Sequence, residues 1–184
     1  MTDFSSLGLN PQLCRACDAL GYVKPSPIQE KAIPLMLQGH DVLGIAQTGT
    51  GKTAAYALPI LMRCKYAQGK NPRTLIWAPT RELVMQIHEV MVGLAVETDL
   101  RILALYGGLG PKTQIQALES GIDILVSTPG RFLELYRKDV IVVKELKILI
   151  LDEADKMMDM GFMPQIRQIL EKIPYKKRQN GLFS

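Results

Sequence analysis

The segment Ala46-Gln47-Thr48-Gly49-Thr50-Gly51-Lys52-Thr53 constrains the fold more than any other part of the chain. The apolar run before it, residues 42–45, predicts a buried strand, and residues 54–63 after it predict a helix. Glycines between a strand and a helix let backbone N–H groups surround an anion, to which the helix N-terminus adds positive potential. In such a phosphate loop, Lys52 can reach the β- and γ-phosphates of a nucleotide and the Thr53 hydroxyl can hold Mg²⁺. The pattern G-x-x-x-x-G-K-[ST] is met except that alanine replaces the first glycine. The simpler alternative is a Gly/Thr turn before a helix.

A second segment suited to the same chemistry is acidic. The aliphatic run of residues 148–151 ends in Asp152-Glu153-Ala154-Asp155. An acid at the end of a buried strand is costly unless it is paired. We expect Asp152 to hold Mg²⁺ through water, and Glu153 to orient or deprotonate an attacking water. The alternative is that these acids only complement the dipole of a following helix.

The turn between the first two predicted helices contains two prolines, Pro25 and Pro27, which stiffen it. A stiff turn can present Tyr22 as a flat stacking face. It can also present the Gln29 amide, which is able to pair with N6 and N7 of adenine. The alternative is a helix–turn–helix lid with a tyrosine in its core.

Along the rest of the chain, strand-like and helix-like patterns alternate. This alternation predicts an α/β fold with a mostly parallel central sheet and helices on both faces. Right-handed crossovers would then place the phosphate loop and the carboxyl ends of the strands along one edge. The predicted strands are residues 42–45, 74–78, 102–106, 122–126, 148–151 and 181–183, and the predicted helices are residues 11–20, 27–38, 54–63, 82–96, 111–118, 131–137, 154–159 and 163–172.

Composition narrows the class of protein. A chain of 184 residues with 47% hydrophobic residues suits one globular domain, and its formal net charge of +4 is compatible with a polyanionic partner. No apolar run approaches the ~20 residues of a membrane span, and the N-terminus lacks the pattern of a signal peptide. Cys14 and Cys17 have C-x-x-C spacing without a second pair, so reduced thiols in a cytoplasmic protein are expected rather than a zinc or redox site.

These segments together resemble the N-terminal RecA-like domain of DEAD-box ATP-dependent RNA helicases, over nearly the whole chain. Asp152-Glu153-Ala154-Asp155 spells the name of the family in one-letter code. The phosphate loop resembles the family's form of the Walker A motif, in which alanine at the first position is usual. Other matching segments are Phe4 with residues 21–29 (the Q motif), Pro79-Thr80-Arg81-Glu82-Leu83, Gly107-Gly108, and Thr128-Pro129-Gly130-Arg131.

The resemblance implies ATP and Mg²⁺ as cofactors. Lys52, Asp152 and Glu153 would be catalytic, and Thr53 and Asp152 would hold the metal, partly through water. The residues implied to bind the nucleotide are Phe4, Tyr22, Lys24, Pro25, Gln29, Gln47, Thr48, Gly49, Thr50, Gly51, Lys52, Thr53 and Ala54.

The resemblance also implies an RNA-binding surface. Small side chains, exposed N–H groups and two arginines suit phosphates, and contacts to the RNA backbone imply little sequence preference. The alternatives are an ordinary turn and helix cap at residues 128–131, a plain strand-to-helix turn at Gly107-Gly108, and a salt bridge for Arg81. The residues implied to contact RNA are Pro79, Thr80, Arg81, Gly108, Thr128, Pro129, Gly130 and Arg131.

The resemblance further implies an organisation in which residues 1–39 form a Q-motif region packed on an ATP-binding domain of residues 40–184. A second, C-terminal RecA-like domain, which this chain does not contain, would supply arginine fingers and half of the RNA path. Asp155 and Ser184, where a Ser-Ala-Thr motif would open, would couple the two domains. Alone, the chain is expected to be a monomer that binds nucleotide weakly and has almost no ATPase or unwinding activity.

Two other functions stay open at this point. One is an ATP-gated RNA clamp in a larger assembly, which would keep its biological function after Glu153→Gln abolishes hydrolysis. The other is a P-loop ATPase that acts on DNA, which DNA rather than RNA would stimulate. Intact Lys52, Asp152 and Glu153 favour an active enzyme.

Overall fold

The computed structural model describes residues 2–184, and within them strands and helices alternate as the sequence predicts. The strands are β1 Val42–Gly44, β2 Thr74–Trp77, β3 Ile102–Leu105, β4 Ile124–Ser127, β5 Ile148–Asp152 and β6 Gln179–Phe183. The helices are a 3₁₀ helix Ser5–Leu7, α1 Pro11–Ala19, α2 Pro27–Leu37, α3 Lys52–Cys64, α4 Arg81–Leu94, α5 Lys112–Glu119, α6 Pro129–Arg137, α7 Ala154–Asp159 and α8 Met163–Leu170.

The six strands form one sheet in the order β1-β6-β5-β2-β4-β3, and every neighbouring pair is parallel. The predicted α/β fold is therefore confirmed, with a sheet that is wholly parallel. In the register, Phe183 pairs with Gly44 on one side and with Asp152 on the other. The phosphate loop and the acidic segment thus leave the same edge of the sheet, one strand apart.

The hydrophobic core consists of two clusters, one on each face of the sheet. Ile76 and Val126 belong to the first cluster, while their neighbours Trp77 and Leu125 belong to the second. This division follows from the strand geometry, in which successive side chains point to opposite faces. Both faces are therefore apolar, which explains why the central strands are continuous aliphatic runs.

The first helices share the core of the remaining chain. The Asn10 side chain caps α1 by accepting a hydrogen bond from the Leu13 N–H at 2.9 Å. Ser26 and Gln29 form a capping box at the start of α2. Phe4, Leu13 and Met36 are buried in the same cluster as the α3 side chains. Helix α2 packs directly against α3, the helix that follows the phosphate loop, and α1 packs against α4.

The prediction that residues 42–45 form a buried strand is wrong in one respect. The strand is present, but the side chains of Leu43 and Ile45 are 67% and 75% exposed. The reason is the position of β1 at the end of the sheet, where β6 is its neighbour on one side and none follows on the other. Sheet order is a tertiary property, which the hydrophobicity of a short segment does not encode.

Within residues 2–184, the helices are all too short or too polar to cross a bilayer. The three cysteines are free thiols. The same residues contain no group of three or more His, Cys, Asp and Glu side chains arranged to hold a metal ion. A metal at the acidic segment would therefore need ligands from a nucleotide or from water, as Mg²⁺ commonly has.

Candidate active site

The phosphate loop has the backbone that its glycines predict. Gly49 and Gly51 both have φ of +82°, in the left-handed region, and α3 begins directly after Gly51. The Thr50 hydroxyl donates to the carbonyl oxygen of Gln47 at 2.5 Å, which closes the loop on itself. The loop is also anchored to the residue that follows β6, because the Ala46 N–H donates to the carbonyl oxygen of Ser184 at 3.0 Å.

Lys52 spans the phosphate loop. Its ammonium group donates a hydrogen bond to the carbonyl oxygen of Ala46 at 2.9 Å. Lys52 is the first residue of α3, so its charge stands at a helix N-terminus, where an anion is favoured. Thr53 and the buried Ala54 follow on the first turn of this helix. A phosphate seated in the loop would find a cation and the positive end of a helix on the same side.

Gln29 joins the proline turn to the phosphate loop. Its Oε1 accepts from the Ser26 N–H at 2.9 Å, and its Nε2 donates to the carbonyl oxygen of Gly51 at 3.1 Å. The side chain is buried, so both contacts are shielded from water. A primary amide can still accept one further hydrogen bond and donate one more, as pairing with adenine requires. The sequence predicts that Gln29 can pair with adenine. It does not predict the hydrogen bond that joins Gln29 to the phosphate loop.

A cavity of about 430 Å³ lies between the proline turn and the phosphate loop. Tyr22 is half-buried beside it, with the Phe4 ring centroid 6.4 Å from its own. Phe4 itself lies in the hydrophobic core and Pro25 is also buried, so these two residues are placed to support the turn. The cavity is lined by Gly21, Tyr22, Val23, Lys24, Ser26, Gln29, Gly49, Thr50 and Gly51.

Asp152, at the end of β5, is 97% buried and its two carboxylate oxygens are both hydrogen-bonded. Oδ2 accepts from the Tyr56 hydroxyl at 2.6 Å, and Oδ1 accepts from the Glu153 N–H at 2.8 Å. Burial raises the pKa of Asp152 above its ordinary value, against the opposing effect of these two hydrogen bonds and of the nearby Lys52 charge. Because Tyr56 lies on α3, the helix that begins at Lys52, its hydrogen bond to Asp152 shows that the two segments meet at one site.

Tyr56 is a site residue that the sequence analysis missed. It lies on α3 four residues after Lys52, and its side chain is fully buried. Residues four apart share a helix face, so the spacing from Lys52 could have identified a side chain directed towards the same region. Its partner, 96 residues further along the chain, is evident only from the fold.

Glu153 and Asp155 flank Asp152 in different ways. Glu153 has φ of +50°, an uncommon backbone conformation for a residue with a side chain, and its carboxylate lies 3.2 Å from the Lys156 ammonium. Such conformations occur preferentially at functional sites. The Asp155 N–H donates a hydrogen bond to the Ser184 hydroxyl at 3.4 Å. The acidic segment therefore contacts the end of β6, which also anchors the phosphate loop.

The loops implied to bind RNA meet at another part of the same sheet edge. They follow β2, β3 and β4 and surround a cavity of about 480 Å³. Thr80 caps α4 by accepting from the Leu83 N–H at 3.2 Å, and Gly108 has φ of +89°. The cavity is lined by Pro79, Arg81, Gly107, Thr128, Gly130, Arg131, Glu134 and Phe162.

The two arginines of this cavity differ. Arg81 is exposed and lies over the ring of Tyr106, with its guanidinium carbon 4.9 Å from the ring centroid. In residues 2–184 it forms no salt bridge, so the alternative proposed for Arg81 is not observed.

Arg131, in contrast, is 91% buried. Its Nη2 donates to the carbonyl oxygen of Leu109 at 2.9 Å and its Nε lies 3.4 Å from Glu134. It thereby holds the loop that carries Gly108. Its buried Nη1 has no hydrogen-bond partner within residues 2–184 and keeps the capacity to donate to a ligand.

The turn and cap alternatives also describe real features. Thr128 is the N-cap of α6 and Pro129 occupies its first turn. Gly107 and Gly108 lie between β3 and α5. A local structural role and a role in binding are compatible at these positions, since capped helix starts expose N–H groups to an incoming anion.

The wholly parallel sheet, the phosphate loop and the acid at the end of a buried strand together define an α/β P-loop domain. A family model described as DEAD/DEAH box helicase matches residues 26–184. The chain therefore belongs to the DEAD/DEAH box helicase family.

Individual relatives agree with this assignment. The chain is 47% identical over 184 residues to the DEAD-box ATP-dependent RNA helicase 28 of Oryza sativa subsp. japonica, covering 98% of this chain and 23% of the relative. It is 44% identical to the ATP-dependent RNA helicase DeaD of Escherichia coli (strain K12), covering 100% of this chain and 29% of the relative. The chain thus spans about a quarter of the length of these curated relatives.

Among solved structures, a DEAD box protein from the hyperthermophile Methanococcus jannaschii superimposes with a TM-score of 0.93 at 35% identity. The match covers 100% of this chain and 50% of that protein. The RecA-like DEAD-box fold that the resemblance implied is therefore confirmed.

Proposed function

We propose that this chain is the ATP-binding half of an ATP-dependent RNA helicase, which couples ATP hydrolysis to local unwinding of RNA duplexes or to remodelling of RNA–protein complexes. The observation that carries the proposal is the meeting of the phosphate loop and the buried Asp152 at one sheet edge, joined through Tyr56. Relatives that match 98% and 100% of the chain are named ATP-dependent RNA helicases.

The residues present fit a magnesium nucleotide. The adenine would lie in the cavity beside Tyr22 and pair with Gln29, and the loop N–H groups and Lys52 would hold the phosphates. The Thr53 hydroxyl and the Asp152 carboxylate, the latter through water, would hold Mg²⁺. The metal, when bound, would neutralise charge that develops on the phosphate oxygens.

Hydrolysis requires a water aligned with the terminal phosphate. Glu153 is the acid placed for this role, because its carboxylate is partly exposed beside the buried Asp152. Its strained backbone fixes where the side chain leaves the main chain. Glu153 would orient this water or take a proton from it.

RNA would bind across the cavity surrounded by the loops after β2, β3 and β4. The exposed Arg81 would pair with a phosphate, and N–H groups near Thr80, Gly108, Thr128 and Gly130 would donate to others. Such contacts address the sugar–phosphate backbone, so little sequence preference is expected.

In the longer protein, a C-terminal RecA-like domain would complete the site and close over the RNA. An arginine finger contributes roughly 10³- to 10⁵-fold to the rate of such reactions. Asp155 and Ser184, which contact each other at the same edge, would transmit nucleotide state to that domain. Alone, the chain is expected to be a monomer that binds nucleotide and turns it over poorly.

Nucleotide binding tests the proposal directly. The affinity of the chain for fluorescent mant-ADP with Mg²⁺ should fall at least about tenfold in Lys52→Ala, because Lys52 is the cation of the phosphate loop. Lys70→Ala removes an exposed lysine in a surface loop and serves as the matched control. Equal affinities in the two variants would contradict an ATP site at the phosphate loop.

Steady-state ATP turnover tests the second half of the proposal. We expect a rate close to background, with or without single-stranded RNA. RNA-stimulated turnover at rates typical of complete enzymes would refute the need for a second domain. Stimulation by DNA and not by RNA would favour a DNA-dependent ATPase instead.

A further inference from the structure

The Tyr56 hydroxyl has a place in the site that none of the motifs assigns. Its ring is fully buried and packs against Phe183, with centroids 5.0 Å apart. The hydroxyl donates to Oδ2 of Asp152 at 2.6 Å. Thr53 lies three residues before Tyr56 on the same helix, α3, so both side chains lie on the same side of that helix. The phenol thus joins α3, the helix that carries Thr53, to Asp152 at the end of β5, and Thr53 and Asp152 are the two residues that are proposed to hold the metal.

We propose that Tyr56 is a positioning residue that fixes the Asp152 carboxylate for water-mediated binding of Mg²⁺. The inference rests on the proposed function, since it concerns the metal of the same site. Groups that hydrogen-bond a metal-holding carboxylate fix its orientation and strengthen metal binding.

The geometry explains why the Asp152 carboxylate needs a hydrogen-bond donor from another element of the fold. Its Oδ1 is held by the adjacent Glu153 N–H at 2.8 Å, which is a local contact. Its Oδ2 is held by Tyr56, from a different layer of the fold. With one donor on each oxygen, the plane of the carboxylate is fixed, and each oxygen can accept one further hydrogen bond from a water.

The same contact makes the carboxylate sensitive to the helix that follows the phosphate loop. Tyr56 is on α3, whose first residue is Lys52, whereas Asp152 ends β5. A shift of α3 on nucleotide binding would therefore move the donor of Asp152. Removing the hydroxyl would leave Oδ2 buried without its donor and free to turn towards other donors, including Lys52.

The variant Tyr56→Phe isolates the hydroxyl, because phenylalanine keeps the ring against Phe183. The matched control is Tyr136→Phe, which removes a phenol from a partly buried ring stacked on Phe132, in the cluster on the opposite face of the sheet. Thermal unfolding of both variants, followed by circular dichroism, establishes that each is folded.

The readout is the Mg²⁺ dependence of mant-ADP binding, measured by titrating Mg²⁺ at fixed nucleotide. We expect Tyr56→Phe to raise the half-saturating Mg²⁺ concentration about tenfold, the usual effect of losing a hydrogen-bond partner of a metal ligand. The affinity for mant-ADP in EDTA should be unchanged. Electron paramagnetic resonance of Mn²⁺ in place of Mg²⁺ reports metal binding independently of the fluorophore and of any turnover.

A double-mutant cycle ties the effect to Asp152. In an Asp152→Asn background, Tyr56→Phe should have little further effect on metal binding, because the charge that it positions is gone. An unchanged Mg²⁺ dependence in Tyr56→Phe would overturn the inference. So would an equal loss of nucleotide affinity with Mg²⁺ and in EDTA, which would indicate a role in packing alone. If the unmodified chain bound mant-ADP without any Mg²⁺ dependence, the proposed metal site would fail together with the inference.

Discussion

The side-chain nitrogen of Gln29 donates a hydrogen bond to the carbonyl oxygen of Gly51, 22 residues further along the chain, at 3.1 Å. This contact makes the shape of the phosphate loop depend on the turn that is proposed to bind adenine. Because Gln29 also completes the capping box of α2, its orientation is fixed before any ligand binds.

Gln29→Glu should therefore weaken nucleotide binding by more than the loss of adenine contacts. The substitution keeps the shape of the side chain but places a carboxylate oxygen against the Gly51 carbonyl, where no proton is available for the hydrogen bond. We expect the affinity for mant-ADP to fall about tenfold or more, since an unpaired buried group costs about 1–3 kcal/mol. Gln38→Glu, at an exposed position just after α2, should leave the affinity unchanged. Equal affinities of the two variants for mant-ADP would contradict a coupling between the proline turn and the phosphate loop.

Gly51 provides a second test of the same contact. It has φ of +82°, and a Cβ at this position would collide with the Nε2 of Gln29. Gly39 has φ of +87° but open space around it, so it serves as the matched control. Alanine in the left-handed region costs roughly 1–2 kcal/mol, which both variants should lose in urea unfolding. Only Gly51→Ala should also lose nucleotide affinity, measured with mant-ADP. If Gly39→Ala lost a similar amount of nucleotide affinity, the loss in Gly51→Ala would result from reduced stability and not from the contact with Gln29.

Local patterns predict most of this fold, and the contacts between distant segments account for what they miss. The helix from Arg81 to Leu94 begins one residue from its predicted start, because its cap and apolar spacing lie within the segment. The pairing of Tyr56 with Asp152 and the burial of Arg131 are absent from the prediction, since each depends on packing between segments. The order of the strands is equally a tertiary property, and it explains the error about the burial of Leu43.

Asp123 illustrates a tertiary contact with a large expected effect on stability. Its fully buried carboxylate lies 3.0 Å from both Arg73 and Arg101, and it also accepts the N–H groups of Gln68 and Arg101. Removing one partner of a buried ion pair leaves uncompensated charge and costs about 3–5 kcal/mol. Asp123→Asn should reduce the free energy of unfolding in urea by about that amount. Glu97→Gln, which breaks an exposed pair with Arg15, should cost less than about 1 kcal/mol. If the two variants lost comparable free energies of unfolding, the buried ion pairs of Asp123 would contribute no more to stability than the exposed pair of Glu97.

The same residue predicts how stability depends on pH. Burial would raise the pKa of Asp123, but hydrogen bonds from Arg101, Gln68 and Arg73 overcome that effect and lower the pKa from its ordinary 3.8 to about 2. A lowered pKa in the folded state means that the stabilisation is present above pH 3.8 and is lost as the pH falls through 3.8 towards 2. The loss should approach about 2 kcal/mol for this group. Urea unfolding between pH 5 and pH 2.5 should show a weaker pH dependence in Asp123→Asn than in the unmodified chain. If the pH dependence of the free energy of unfolding were identical in the variant and the unmodified chain, carboxylates other than Asp123 would be responsible for the loss of stability in acid.

The two arginines of the proposed RNA surface should separate binding from stability. Arg81 is exposed over Tyr106, so Arg81→Gln should weaken binding of single-stranded RNA without changing the unfolding temperature. Loss of one phosphate contact should also reduce the slope of log affinity against log salt by about 0.7.

Arg131→Gln should weaken RNA binding and also lower the free energy of unfolding by about 1–3 kcal/mol, because the buried guanidinium holds the carbonyl oxygen of Leu109. Fluorescence anisotropy of a labelled oligoribonucleotide at several salt concentrations, with urea unfolding in parallel, measures both quantities. If Arg81→Gln destabilised the chain as much as Arg131→Gln did, the exposed arginine would be structural. If neither variant changed RNA affinity, the RNA path would lie outside the loops after β2, β3 and β4.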